Sequence, residues 1–75
     1  MLKKKSVLLS GHATSIALEP EFWAVLEDEA RRRDISVAGL LKDIDARRGR
    51  RPLASACRVQ ALAWASRPEP RAQPE

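Results

Sequence analysis

A chain of 75 residues has room for one small domain, since a domain takes about 100–200 residues. Fourteen Lys and Arg against ten Asp and Glu give a net charge of +4, which permits a phosphate-bearing partner without demanding one. One cysteine (Cys57) and one histidine (His12) exclude an internal disulfide and a four-ligand zinc site, and charges break every apolar run far short of the ~18 residues of a membrane span.

A chain this short stabilises a core with difficulty, and without a disulfide or a metal the remaining supplement is oligomerisation. The basic start is followed by only Val7, Leu8 and Leu9, too few for the roughly 7–15 apolar residues of a secretory signal. A lone cysteine fits a reducing cytoplasm. No glycine-rich phosphate loop, metal-ligand pair or nucleophile motif is present, so the chain reads as a non-enzyme without a cofactor.

In chain order, residues 3–18 read as β-like. In residues 13–18, Ile16 and Leu18 fall two apart, so Ala13, Ser15 and Ala17 point to the opposite face of a strand. Val7, Leu8 and Leu9 form a second short strand candidate, and Ser10 and Gly11 between the two are a turn signal, which makes a hairpin. Pro20 suits the first turn of a helix, where its missing N–H has no partner to lose, and Glu19 and Glu21 complement the positive end of the dipole. Phe22, Val25, Leu26 and Ala30 form one apolar stripe. Asp34 and Ile35 break the pattern, Ser36 is a good N-cap, and Val37, Leu40, Leu41 and Ile44 repeat the stripe on a second helix. Gly49 and Pro52 end it. Residues 53–65 form a third, weaker helix, and residues 66–75 a Pro-rich polar tail expected to be disordered. Two short helices and one strand cannot enclose a core, whereas two copies of them can, which argues again for a homodimer.

The remaining features have plain readings. Pairs four apart, Glu27 with Arg31, Asp28 with Arg32 and Glu29 with Arg33, are ordinary helix surface. Trp23 and Trp64 are expected in the core or an interface, His12 in a turn, and Cys57 buried on the third helix. Arg47, Arg48, Arg50 and Arg51 form the densest basic cluster, read either as a polar helix end or as a phosphate contact. Lys3, Lys4 and Lys5 read either as a solvated terminus or as a basic arm on the phosphates of a partner.

The string GHATSIALEPEFW followed by DISVAGLLKDID, and then PLASACRVQALAW, resembles a bacterial group of ribbon-helix-helix (Arc/MetJ-type) proteins with a GHxTSxxLEPxFW signature, over about residues 3–65. The resemblance implies a mostly α fold with a short β-ribbon: an intertwined homodimer in which two strands pair and the helices knit beneath them. It implies a dimer core of Ile16, Leu18, Phe22, Val25, Leu26, Val37, Leu40, Leu41 and Ile44. The family inserts its ribbon into the major groove of double-stranded DNA. Carried over by position, Ala13, Ser15 and Ala17 would face the groove, and Ser36 and Val37 would bring free backbone N–H groups to a phosphate. Relatives with the signature commonly carry a basic residue at the position of Ala13.

The resemblance implies a cytoplasmic, dimeric DNA-binding regulator that represses transcription. Alanine reaches only a thymine methyl and serine discriminates poorly, so base readout is expected to be weak and affinity to come from phosphates. A face without polar reach also fits a protein-interaction module that has kept the fold. An antitoxin of a toxin pair is a third reading, disfavoured by a tail with few large apolar side chains. Pairing of residues 7–9 with the strand would give a dimer sheet of four strands, wider than a groove of about 12 Å.

Overall fold

The computed structural model describes residues 1–67. The tail expected at residues 66–75 lies, from residue 68 onward, outside the described residues. The element order is β1 (Lys3–Leu9), β2 (His12–Leu18), α1 (Pro20–Arg33), α2 (Val37–Arg47) and α3 (Leu53–Ala65).

The two strands form an antiparallel hairpin with Leu9 opposite His12 and Lys3 opposite Leu18. Ser10 (φ 51°) and Gly11 (φ 83°) both take positive φ, the requirement of a I′ turn whose twist matches the strands it joins. β1 is longer than the apolar run of residues 7–9: Lys3, Lys4 and Lys5 are strand residues, not a free arm. Alternation then sorts the hairpin into two faces. Leu9, Ile16 and Leu18 are buried against the helices, while Lys4, Ser6, Leu8, Ala13 and Ser15 are exposed.

Pro20 opens α1 as its sequence position requires, and the Glu19 carbonyl accepts from Phe22 N (2.9 Å) and Trp23 N (3.2 Å). Asp34 ends the helix in the left-handed region (φ 58°), with Asp34 N donating to Arg31 O and Ile35 N to Ala30 O, a Schellman closure. Ser36 caps α2, its Oγ accepting from Gly39 N at 3.0 Å. Gly49 (φ 61°) turns the chain, and Pro52 precedes the first turn of α3.

The core is Leu9, Ile16, Leu18, Trp23, Leu26, Ala30, Leu40, Leu41, Ile44, Ala56, Cys57 and Ala61. It corrects the sequence reading in two ways. Six residues expected to be shared between two chains, Ile16, Leu18, Leu26, Leu40, Leu41 and Ile44, are already buried within one, because the hairpin and α3 supply the missing walls. Enclosing a core therefore does not by itself demand a second copy. The other three, Phe22, Val25 and Val37, are half-buried at its margin. The buried stripe of α1 is also rotated toward Trp23, which is 2% exposed. α3 contributes through small side chains, Ala56, Cys57 and Ala61.

Polar contacts fix the elements on one another. Trp23 Nε1 donates to the Lys3 carbonyl at 2.8 Å, tying β1 to α1. Lys5 Nζ lies 4.9 Å from the Trp23 ring centroid and 2.6 Å from Glu27 Oε2, so Glu27 pairs with the hairpin and not with Arg31. Arg31 reaches Asp28 instead, which also holds its expected partner Arg32. Arg58 of α3 donates to Glu19 Oε1 (2.9 Å) and to the Ala17 carbonyl (3.4 Å). Glu29 is buried and receives Arg33 Nε (2.8 Å) and Arg67 Nη2 (2.7 Å), which pins the end of α3 to α1. Arg33 also lies 5.0 Å from the Trp64 ring centroid.

Candidate nucleic-acid interface

The outward face of the hairpin is built by strand parity. Cross-strand partners share a face, so Lys4 stands beside Ala17, Ser6 beside Ser15, and Leu8 beside Ala13. Ala13 and Ser15 are exposed and Ala17 is half-exposed, so the three residues expected on one face are on one face. The Ser6 and Ser15 hydroxyls are 3.3 Å apart, so each partly satisfies the other. Leu8 is 67% exposed, an apolar side chain beside Ala13.

The three lysines separate. Lys4 lies on the outward face, exposed, and supplies the polar reach that the β2 side chains lack. Lys5 is on the opposite face, held by Trp23 and Glu27, and its ammonium holds the Glu27 carboxyl below the usual carboxylate range. Lys3 shares that opposite face, and its carbonyl is occupied by Trp23. The sequence signal for Lys4 was available: a two-residue turn at Ser10 and Gly11 sets it against Ala17.

The backbone of β2 is the second feature. A two-residue turn closes on a hydrogen-bonded pair, so His12, Thr14, Ile16 and Leu18 spend their N–H and C=O groups on β1. Ala13, Ser15 and Ala17 aim theirs at the other edge. β2 is the last strand of a two-stranded sheet, and among the described residues only the Ala17 carbonyl of these groups has a partner, Arg58. An edge with unused donors and acceptors is a template for another strand.

At the start of α2, Ser36 is exposed and Val37 half-exposed. The Ser36 hydroxyl already takes the Gly39 N–H, leaving the N–H groups of Val37 and Ala38 without intrahelical acceptors. No acidic residue lies in that first turn, so the helix leaves its positive end uncompensated there. Among the described residues, no three His, Cys, Asp or Glu side chains group as a metal site, and no helix is long and apolar enough to cross a membrane.

A β-ribbon followed by a Pro-initiated helix, a Schellman turn and a Ser-capped helix defines a class of small ribbon-and-helix proteins. Comparison with known families is specific within it: the ribbon-helix-helix domain model matches residues 2–65, and the chain belongs to that family. Its members are typically DNA-binding regulators or antitoxins. No curated protein and no solved structure matches the chain.

Proposed function

We propose that the protein is a cytoplasmic DNA-binding regulator, acting as a repressor, in which two copies pair along the open edge of β2. The observation that carries this reading is the coincidence of that open edge with an exposed outward face in a ribbon-helix-helix chain. Pairing β2 with its symmetry mate gives the order β1, β2, β2, β1. Neighbouring strands lie about 4.8 Å apart, so the outer pair stand roughly 14 Å apart, against a major groove about 12 Å wide. The central β2 pair then enters the groove with Ala13, Ser15 and Ala17 toward the bases. The outer strands place Lys4 of each copy over the flanking phosphate walls, and the first turn of α2, with Ser36 and Val37, takes a further phosphate.

This arrangement makes affinity electrostatic and sequence preference shallow. Two copies carry twice the charge of +4 on one chain. Fluorescence anisotropy on a labelled duplex across a salt series tests it. Log affinity should fall linearly with log salt by about 0.9 per phosphate neutralised. Lys4→Gln should make that slope shallower by about 2, one phosphate for each copy. A folded protein with no duplex binding at low salt would end this reading. The exposed Leu8 beside Ala13 favours, in that event, the alternative of a protein partner on the same face.

A further inference from the structure

The turn between α2 and α3 carries four arginines within five residues, Arg47, Arg48, Arg50 and Arg51, and nothing in the ribbon's chemistry uses them. They are held in an ordered turn. Arg51 N donates to the Arg48 carbonyl at 3.1 Å, and the Arg48 guanidinium donates back to the Arg51 carbonyl at 2.9 Å. Gly49, at φ 61°, permits the reversal. Two acids anchor the first two side chains: Asp43 binds Arg47 at 3.1 Å, and Asp45 binds Arg48 at 2.6 Å. Asp43 also lies 3.7 Å from Arg33, so its charge is shared. Arg50 and Arg51 have no acidic partner among the described residues.

Beneath this turn lies a half-open recess of about 120 Å³ whose rim is Arg47, Arg48 and Arg51 and whose wall on α3 includes Val59 and Gln60. No hairpin residue lines it. The first turn of α3 beside it has neither an acidic residue nor a side-chain cap, so the positive end of that helix is uncompensated from within its own first turn, and the nearby acids are Asp43 and Asp45 on α2. Small-molecule pockets run to about 300–1,000 Å³, so this recess is too small for a nucleoside and is of a size for one tetrahedral oxyanion. Guanidinium groups match such an anion with paired N–H donors.

We propose that the turn at residues 47–51 and the recess beneath it form a phosphate-binding site separate from the ribbon. Its ligand is a phosphate group, carried either by a small phosphorylated molecule or by a nucleic-acid backbone. Arg51 supplies the uncompensated charge, Arg47 and Arg48 the N–H groups that Asp43, Asp45 and the Arg51 carbonyl do not take, and Gln60 an amide donor at the α3 wall. The site does not depend on the ribbon binding DNA.

The test is a ¹⁵N NMR titration of the full chain with inorganic phosphate, against sodium chloride at matched ionic strength. Saturable shifts confined to Arg47, Arg48, Arg51 and Gln60, with a dissociation constant on the order of 1 mM, are expected. Arg51→Gln should weaken binding at least fivefold, while Lys42→Gln, which removes the same charge from the exposed face of α2, should not. Equal responses to phosphate and chloride, or equal losses in the two variants, would overturn the proposal, since both reduce the effect to net charge. A short duplex then identifies the source. If it shifts the same four residues and Arg51→Gln weakens it, the ligand is a backbone phosphate. If phosphate shifts them and the duplex leaves them unmoved, the ligand is a small phosphorylated molecule. Correct folding of Arg51→Gln is checked by an otherwise unchanged spectrum.

Discussion

Trp23 is where the hairpin is fastened to the helices, and replacing it with phenylalanine isolates that fastening. The side chain is 2% exposed, so its ring is a packed wall of the core. Phenylalanine keeps most of the ring and removes two contacts: the 2.8 Å bond from Nε1 to the Lys3 carbonyl, and part of the attraction of Lys5 at 4.9 Å. A hydrogen bond contributes about 1 kcal/mol net and a partly exposed cation–π contact about 0.5–1 kcal/mol. Trp23→Phe should therefore cost about 2 kcal/mol, against about 3–5 kcal/mol for Trp23→Ala, which also opens a cavity. A core of this size rarely supplies more than about 3–5 kcal/mol in all, so the first variant should fold and the second be largely unfolded. Urea denaturation measures the global loss. Amide exchange locates it: Lys3, Lys5 and Val7 should exchange about 30-fold faster in Trp23→Phe, beyond any change at Leu40 and Leu41. Unchanged β1 exchange, with a midpoint shift worth less than about 0.5 kcal/mol, would refute the role given to this residue.

The carboxylates and the thiol give two further predictions. Glu29, only 5% exposed, has its carboxyl held below the usual range by the Arg67 hydrogen bond first and by Arg33, with burial opposing both. A depressed folded pKa stabilises above the unfolded value and loses that contribution as pH falls through the folded one. Stability should thus decline below about pH 4.5, and Glu29→Gln should be less stable at pH 7 with a shallower acid slope; parallel pH curves would contradict this. Some slope should persist, since Glu19 and Glu27 are depressed in the same direction by Arg58 and Lys5. Burial pushes the Cys57 thiol up to about 11, so a disulfide reagent at pH 8 should label the folded chain slowly and the urea-unfolded chain at once; equal rates would be inconsistent with that burial.

The helices were readable because each carries its own punctuation: Pro20 and Ser36 at the starts, Asp34 with Ile35 and Gly49 with Pro52 at the stops. The turn at Ser10 and Gly11 was equally local. What escaped depends on partners distant in sequence. Lys3, Lys4 and Lys5 look like a solvated terminus until Trp23 and Glu27, some twenty residues on, hold them in a strand. The α1 stripe through Phe22 and Val25 is a valid helical face, but the hairpin and α3 arrive on the side of Trp23. That shift also buries Glu29, which needs Arg33 and Arg67 to remain charged there. α3 has weak periodicity because apolar residues lie on both its faces: Ala56, Cys57 and Ala61 are buried while the larger Val59 and Leu62 are exposed. That Ala13, Ser15 and Ala17 share one face followed from alternation alone, whereas placing Lys4 on it also required the two-residue turn that sets the hairpin register.

Whether a functional ribbon exists depends on the open edge of β2. Sedimentation equilibrium of the wild-type chain and of Ser15→Pro tests this most directly. Proline at position 15 removes an N–H aimed at the open edge and spares the bonds between β1 and β2. The wild type should sediment at twice the mass of one chain. Ser15→Pro should sediment as a monomer and, because one chain encloses its own core, keep its helical circular dichroism. A monomeric wild type, or a Ser15→Pro variant that remains a dimer, would contradict pairing through β2.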